Sequence, residues 1–285
     1  MAMGNPTGTL YIVATPIGNL DDISLRALET LKNCDLIACE DTRHSKRLCQ
    51  HHDIRTPLLA YHQHNEQQAG HQLIDKLQQG QNIAVVSDAG TPLISDPGYV
   101  VVQMAHQAEI QVSPIPGPSA LITLLSAAGL DTSSIRFEGF LPNKSSQRLN
   151  TMKQLLPCES TLVIYESSHR IMACLKDIAE VMGDGHLIGV GRELTKTFET
   201  VYHGKVADIL TQLEDFPVQQ KGEFVVAIAA SKPKVSEEVP LIAQQLALTL
   251  MPLLPPKTVS KVVASHHDCN KKQVYQFILN QQASE

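Results

Sequence analysis

Val85-Val86-Ser87-Asp88-Ala89-Gly90-Thr91-Pro92-Leu93-Ile94-Ser95-Asp96-Pro97-Gly98 joins an apolar run to a loop with two glycines, two prolines and two aspartates. The run from Ile83 to Val86 has no polar residue, which predicts a parallel strand covered on both faces. Ligands of open α/β sheets bind at the carboxyl ends of such strands. Glycine lets the backbone approach a ligand closely, and proline fixes the shape of a loop. The stretch therefore predicts an α/β fold with a binding loop, against the alternative of a plain surface turn.

Composition and charge narrow the class of protein. The chain has 285 residues, of which 43% are hydrophobic and 18% are charged, and its formal net charge is -6. The length predicts two domains, and the charge argues against a globally basic nucleic-acid coat while leaving room for a local basic patch. Residues Met1–Pro6 do not resemble a signal peptide, and no apolar run approaches the roughly 20 residues that span a bilayer. No two cysteines form a C-x-x-C pair. These features predict a cytoplasmic enzyme without zinc or a redox dithiol.

Residues 1–117 alternate strand and helix patterns, which predicts βαβ units and a mostly parallel sheet. The predicted strands are Thr9–Ala14, Asp35–Glu40, Leu58–Tyr61, Ile83–Ser87 and Gln111–Ile115. The predicted helices include Ser24–Asn33, Arg43–His51 and Asn65–Gln79. Pro114, Pro116 and Pro118 then interrupt the pattern, because proline continues neither a helix nor a central strand. We therefore place the end of an N-terminal α/β domain at residue 117.

Residues 118–231 form a predicted second α/β domain that closes the ligand cleft, with a sheet that we expect to be mixed. The domain begins with the apolar helix Ala120–Ala128. Its predicted strands are Phe137–Leu141, Thr161–Tyr165, Leu187–Val190, Thr200–His203 and Phe224–Ala229. Residues 232–285 are a predicted linker and a small helical tail. The predicted tail helices are about Glu237–Leu250, Thr258–His266 and Lys271–Asn280, separated by Pro252, Pro255 and Pro256.

Three loops at strand ends could carry chemistry: residues 14–19, 39–43 and 88–98. Acidic residues after the second strand would suit a dinucleotide ribose, which keeps a nicotinamide-dependent oxidoreductase open as an alternative. However, the first loop has one glycine where that fingerprint needs G-x-G-x-x-G, and no G-x-x-x-x-G-K-[ST] phosphate loop occurs. A ligand with a pyrophosphate is therefore disfavoured.

Six motifs occur in the order and spacing of the tetrapyrrole methylase superfamily: Leu10–Asn19, Cys39–Arg43, Asp88–Gly98, Pro116–Ala120, Tyr165–Arg170 and Gly191–Lys196. Within it they resemble the branch called ribosomal RNA small-subunit methyltransferase I. The resemblance implies a two-domain fold, a homodimer, and S-adenosylmethionine as the donor of a methyl group to the ribose 2′-hydroxyl of a cytidine in 16S ribosomal RNA. The alternatives are a related methyltransferase acting on a tetrapyrrole or other small molecule, and an RNA-binding scaffold without activity.

The histidines are scattered without metal-ligand spacing, which predicts no metal site. The resemblance also implies the residues that bind the cofactor. They are Pro16, Gly18, Asp88, Gly90, Thr91, Pro92, Ile94, Ser119, Ala120, Tyr165 and Glu166. Ser119 and Ala120 begin a helix, whose free amides and positive dipole suit an anion. Tyr165 and Glu166 are implied to close the cleft from the second domain. Pro16 and Gly18 are implied to border the acceptor side.

Polar motifs at strand ends supply candidate catalytic residues. We expect Asp41 or Glu193 to accept the proton of the ribose hydroxyl, and Arg43, Arg192 and Lys196 to hold neighbouring phosphates. Lys196 is the weaker candidate for the base, because that role needs a strongly lowered pKa. Taken singly, each motif also fits a structural salt bridge or a helix cap.

The tail differs in charge from the rest of the chain. Residues 251–285 carry four lysines against Asp268 and Glu285, a formal charge of +2. Two short amphipathic patterns in this segment predict a helix-turn-helix-like unit. We expect this unit to dock RNA, since an acidic body needs a local basic surface to approach a polyanion. The alternative is a helical appendage that packs on the second domain or on a dimer partner.

Overall fold

The computed structural model describes residues 7–231, 239–267 and 269–282. It divides into two compact units, Met1–Ala230 and Ser231–Glu285. The first unit holds two five-stranded sheets, and the second is helical.

The first sheet is parallel throughout, which confirms the prediction. Its strands are β1 (Leu10–Val13), β2 (Leu36–Cys39), β3 (Leu58–Ala60), β4 (Ile83–Val86) and β5 (Val112–Ile115), in the order β3-β2-β4-β1-β5. Its helices are α1 (Leu25–Asn33), α2 (Thr42–His51), α3 (Glu66–Gln78) and α4 (Tyr99–Gln107). This is the βαβ arrangement that the alternating pattern indicates.

Strand β4 explains why its sequence is an unbroken apolar run. Ile83 and Val85 pack in a core with residues of α3 and α4, whereas Ala84 and Val86 pack in a second core with Leu31 of α1. Because successive side chains point to opposite faces, a strand between two helical layers needs apolar residues at every position.

Proline is accommodated at the border of this sheet. Pro114 lies within β5 and pairs with Ile12 of β1. Strand β5 is an edge strand, where the missing N–H of proline interrupts no ladder.

The second sheet is mixed, as predicted. Its strands are β6 (Ile135–Phe140), β7 (Thr161–Ser167), β8 (Leu187–Arg192), β9 (Thr200–Lys205) and β10 (Glu223–Ile228), in the order β6-β7-β10-β8-β9. The β6–β7 pair is parallel and the other pairs are antiparallel. Its helices are α5 (Ala120–Ala127), α6 (Ser145–Leu155), α7 (Ile171–Met182) and α8 (Val206–Asp215).

Helix α7 shows how these helices are fixed to the sheet. Ile171, Cys174, Leu175 and Ile178 are buried at the i, i+3, i+4 and i+7 positions that form one helix face. Asp177 is also buried, and its carboxylate pairs with a guanidinium on α6. The thiols of Cys34, Cys39 and Cys174 are free and buried.

The second unit contains α9 (Leu241–Leu250), α10 (Pro256–His267) and α11 (Lys271–Gln282). The predicted start of the first tail helix at Glu237, the linker residues 232–234, Asp268 and Glu285 lie outside the described residues. Pro256 begins α10 rather than separating two helices, because the first helical position needs no N–H. Among the described residues, no helix is long and apolar enough to cross a membrane.

Candidate functional site

A cavity of about 490 Å³ lies between the carboxyl ends of the first sheet and the second sheet, within the first unit. The loop after β4 forms one wall, and the ends of β6 and β7 with the start of β10 form the opposite wall. Eight of the predicted cofactor-binding residues line it: Asp88, Gly90, Thr91, Ile94, Ser119, Ala120, Tyr165 and Glu166.

Hydrogen bonds hold the loop after β4 at both ends. The Gly90 N–H donates to the carbonyl of Thr15 at 3.0 Å, and the Thr15 N–H donates to the carbonyl of Gly90 at 2.8 Å. Near the other end, the Gly98 N–H donates to Oε1 of Glu66 at 3.0 Å. Gly90 has φ +84°, a left-handed conformation in which other residues are strained. The loop is therefore shaped before a ligand arrives.

The N-terminus of α5 also faces the cavity. Ser119 is its N-cap, but the Ser119 side chain makes no capping hydrogen bond, and both Ser119 and Ala120 line the cavity. The first amides of a helix have no partner within it, and they carry the positive end of the helix dipole. This edge of the cavity suits a carboxylate or another anion.

The end of β7 supplies an aromatic and an acidic wall. The ring of Tyr165 makes edge contacts with Phe137 and Phe140, at centroid distances of 4.9 and 5.7 Å. The Glu166 side chain is fully buried and lies 2.9 Å from Nε of Arg170. Burial, followed by the charge of Asp96, raises the pKa of Tyr165, so its hydroxyl stays protonated at neutral pH.

Acidic side chains meet at the carboxyl ends of β2 and β4. Burial, followed by the charges of Glu40 and Asp88, raises the pKa of Asp96 to about 6, although the hydrogen bond with the Ser87 hydroxyl opposes the shift. Burial also raises the pKa of Glu40, with Asp88 as the second cause and His62 acting in the opposite direction. These carboxylates therefore hold protons more tightly than exposed acids do.

Asp41 and Arg43 do not line the cavity. Oδ2 of Asp41 lies 2.8 Å from the guanidinium of Arg43, whose side chain is 90% exposed. The hydrogen bonds from Arg43 strongly lower the pKa of Asp41, which also caps α2 by accepting the Arg43 N–H at 2.8 Å. The pair adjoins the cavity because the Asp41 N–H donates to Oδ1 of Asp88 at 3.0 Å.

Glu193 and Lys196 also lie beside the cavity rather than on it. Nζ of Lys196 is 2.9 Å from Oε1 of Glu193 and 2.9 Å from Oε2 of Glu223, which does line the cavity. Burial works against both charges, but the Glu223 N–H and Lys196 lower the pKa of Glu193, and the two carboxylates raise that of Lys196. Lys196 is therefore a cation at neutral pH.

Three of the predicted cofactor-binding residues are not on the cavity: Pro16, Gly18 and Pro92. Gly18 instead allows the loop after β1 to approach the segment after β8, since a Cβ on it would lie 2.4 Å from Cγ of Lys196. Arg192 is buried, and its guanidinium donates to the carbonyls of Lys221 and Phe198 at 2.8 and 3.0 Å. The guanidinium of Arg192 therefore binds backbone carbonyls within the protein instead of the phosphates that we expected it to hold.

Twelve lining residues were not predicted: Ile17, Ala89, Ser95, Asp96, Phe140, Ser167, Ser168, Leu194, Gly222, Glu223, Phe224 and Val225. Those at 222–225 enter the site because β10 lies between β7 and β8, an order that is not visible in the sequence. Asp96 carries a sequence signal, since it is the second aspartate of the binding loop.

Comparisons with known proteins agree with this architecture. The family model of tetrapyrrole (corrin/porphyrin) methylases matches residues 9–210. A protein named ribosomal RNA small subunit methyltransferase I from Escherichia coli O157:H7 is 46% identical, over 98% of this chain and 97% of that protein. The protein of that name from Pasteurella multocida is also 46% identical, over 96% of this chain and 98% of its own.

Solved structures resemble the fold at low sequence identity. Diphthine synthase aligns with a TM-score of 0.59 at 12% identity, over 78% of this chain and 90% of its own. Uroporphyrin-III-C-methyltransferase from Thermus thermophilus aligns with a TM-score of 0.55 at 18% identity, over 78% of this chain and 94% of its own.

Proposed function

Because the chain belongs to the tetrapyrrole methylase family, and within it to the ribosomal RNA small subunit methyltransferases I, we propose that it methylates the ribose 2′-hydroxyl of a cytidine in 16S ribosomal RNA, with S-adenosylmethionine as the methyl donor. The observation that carries the proposal is the cavity at the carboxyl edge of the parallel sheet, in a chain matched along nearly its whole length by relatives with that name.

The residues of the cavity fit S-adenosylmethionine. A volume of about 490 Å³ suits a nucleoside-sized ligand. The amides at Ser119 and Ala120 suit its carboxylate, the open backbone at Gly90 permits close approach, and carboxylates such as Asp88 suit its positive charges. When bound, this donor supplies a methyl group on a positively charged sulfur.

The chain's main task is to place the ribose oxygen in line with that methyl group. Correct positioning can contribute about 7–11 kcal/mol to lowering a barrier of this kind. Arg43 and Lys196 are the cations that we propose to meet the RNA backbone beside the cavity, since both are held next to lining residues. The assignment of the proton acceptor to Asp41 or Glu193 stays a prediction.

The test is transfer of labelled methyl groups from S-adenosylmethionine to small ribosomal subunits, followed by nucleoside analysis. We expect the label in 2′-O-methylcytidine. Label on a base, or no label in RNA, contradicts the proposal. RNA binding without transfer indicates a scaffold, and methylation of a corrin precursor instead of RNA indicates a small-molecule enzyme.

We further propose that the enzyme acts in the cytoplasm as a homodimer. Strand β9 is an edge strand, and the side chains of Phe198 and Val218 beside it are 70% and 67% exposed. The guanidinium of Arg192 donates to the backbone carbonyls of both residues, which ties their two backbone segments to the same side chain. An exposed apolar patch next to an edge strand is typical of a protein interface.

Deleting the residues after Lys234 tests the predicted role of the tail. Lys271 and Lys272 lie in the first turn of α11, where the helix dipole disfavours cations, so helix stability does not explain their position. We expect affinity for S-adenosylmethionine to change less than twofold, affinity for the ribosomal substrate to fall at least tenfold at low salt, and its salt dependence to flatten. A truncated protein that folds and binds the ribosomal substrate as tightly as the full chain contradicts the role.

A further inference from the structure

An irregularity in the pairing of β6 brings an aromatic ring to the cavity. Phe137 pairs with Val163 of β7 and Gly139 pairs with Ile164, so the residue between them has no partner on β7. Successive residues of a regular strand alternate between faces, and residues 137 and 140 would then lie on opposite faces. The inserted residue reverses this alternation, which puts Phe140 on the same face as Phe137.

The ring of Phe140 is exposed at the cavity wall. Both phenylalanine rings contact Tyr165, but Phe137 packs in the core of the second sheet, whereas Phe140 is 60% exposed and lines the cavity. The planes of the Phe140 and Tyr165 rings are 66° apart, so these two rings are not stacked on each other. This arrangement leaves a face of the Phe140 ring available to a planar ligand.

Two arginines fix the backbone that follows this ring. Nη2 of Arg170 donates to the carbonyl of Leu141 at 2.7 Å, and Nη1 of Arg148 donates to the carbonyl of Asn143 at 3.4 Å. Arg170 is itself paired with the buried carboxylate of Glu166. The position of the ring is therefore set before a ligand binds, which reduces the entropy that binding costs.

We propose that Phe140 binds the target nucleotide by stacking on its cytosine base, an assignment that rests on the proposed function. A ribose that enters a cavity carries its nucleotide out of the stack of the RNA chain, and the unstacked base then needs a new planar partner. Aromatic side chains supply that partner in proteins that bind single-stranded RNA. Among the described aromatic residues that line the cavity, Phe224 is buried, Tyr165 is half-buried and Phe140 is exposed.

The charge beside the ring suits a nucleotide with its phosphates. Lys144 is exposed, and none of the ion pairs in the described part of the chain includes it. It is the N-cap of α6, where the helix dipole disfavours a cation, so helix stability does not account for its charge. Since Lys144 follows Phe140 by four residues, we expect it to hold a phosphate of the same RNA strand.

The test compares three variants by single-turnover methyl transfer to unmethylated small ribosomal subunits, kept below saturation. Phe140→Leu keeps an apolar side chain without a ring, and Phe140→Tyr keeps the ring. The control is Phe216→Leu, the same substitution at a ring that is 54% exposed but does not line the cavity. The rate should fall about 5–150-fold in Phe140→Leu, as the loss of one stacked base predicts, and should stay within about threefold of the wild-type rate in the other two.

Isothermal titration with S-adenosylmethionine separates a base of the RNA from the adenine of the cofactor. The affinity of Phe140→Leu for S-adenosylmethionine should equal that of the wild-type protein, because the proposed partner of the ring belongs to the RNA. A loss of cofactor affinity as large as the loss of rate would place the ring against the cofactor and would overturn the proposal.

A photoreactive ring gives a readout that does not depend on activity. With p-benzoylphenylalanine in place of Phe140, irradiation with unmethylated small subunits should crosslink the chain to 16S ribosomal RNA. Reverse transcription of the crosslinked RNA should stop at the cytidine that the wild-type protein methylates. The same replacement of Phe216 should give no crosslink at that nucleotide.

The role of Phe140 is refuted if Phe140→Leu keeps the wild-type rate, if Phe140→Tyr loses as much of the rate as Phe140→Leu, or if residue 140 crosslinks to a second copy of the chain instead of RNA. A wild-type protein that transfers no methyl group to RNA refutes the proposed function. Absence of the RNA crosslink in a protein that does methylate RNA refutes the role of Phe140 and leaves the proposed function standing.

Discussion

Replacing Gly90 with valine is expected to lower affinity for S-adenosylmethionine at least 100-fold while the chain remains folded. Gly90 has φ +84°, and its N–H and carbonyl both pair with Thr15. A β-branched residue is strained in this conformation by at least about 1–2 kcal/mol. A Cβ at this position would already lie 3.4 Å from Cγ2 of Ile17, so the further methyl groups of valine crowd the cavity wall. Isothermal titration with S-adenosylmethionine measures the loss.

Gly183→Val is the matched control for this experiment. Gly183 has φ +88°, so valine is strained by a positive φ there too, but a Cβ at that position has no atom within 4 Å and the residue is not on the cavity. The control should lose stability as Gly90→Val does and keep its affinity for the cofactor. Equal affinities for the two variants would show that Gly90 has no part in binding.

Replacing Arg148 with alanine is expected to have the largest effect on stability. The side chains of Arg148 on α6 and Asp177 on α7 are 2% and 10% exposed, and Nε lies 2.5 Å from Oδ2. Removing one partner leaves a buried charge without compensation, which typically costs about 3–5 kcal/mol. Denaturant unfolding should show a loss of this size in the free energy of unfolding.

Lys153→Ala on the same helix is the control for this loss. Lys153 and Glu180 form an ion pair across the same two helices at 3.6 Å, with both side chains 57% exposed. Exposed pairs contribute about 0–1 kcal/mol, so this variant should unfold almost as the wild type does. Replacing Arg148 and Asp177 together by methionine and leucine should restore most of the stability lost in Arg148→Ala. A small effect of Arg148→Ala would mean that water reaches Asp177.

The sequence predicts the layers of the fold better than it predicts the cavity wall. The apolar run at Ile83–Val86 requires a covered strand, and that requirement is local, so both the parallel sheet and its binding edge follow from it. The path of the loop beyond it is not a local property. It depends on the left-handed backbone conformation of Leu93 and Ser95, which neither residue type favours.

The same limit explains why the predicted catalytic residues Asp41 and Glu193 do not line the cavity. Asp41 and Glu193 follow strand ends, as the sequence indicates, but each carboxylate turns to a nearby cation instead of lining the cavity. Glu223 reaches the wall because it begins β10, a strand inserted between β7 and β8. Strand order is set by contacts between distant segments, and a pattern within one segment does not carry it.

The acidic cluster at the cavity also links folding to proton uptake. The pKa of Asp96 is about 6 in the folded chain and near 4 in an unfolded one, so folding at pH 5 takes up protons from solution. The stability that Asp96 contributes is complete below about pH 4 and is lost as pH rises through about 6. Asp96→Asn should therefore unfold at a higher temperature than the wild type at pH 8, and the difference should shrink at pH 5. Scanning calorimetry at the two pH values would show whether the ionised carboxylate of Asp96 lowers the stability of the native protein.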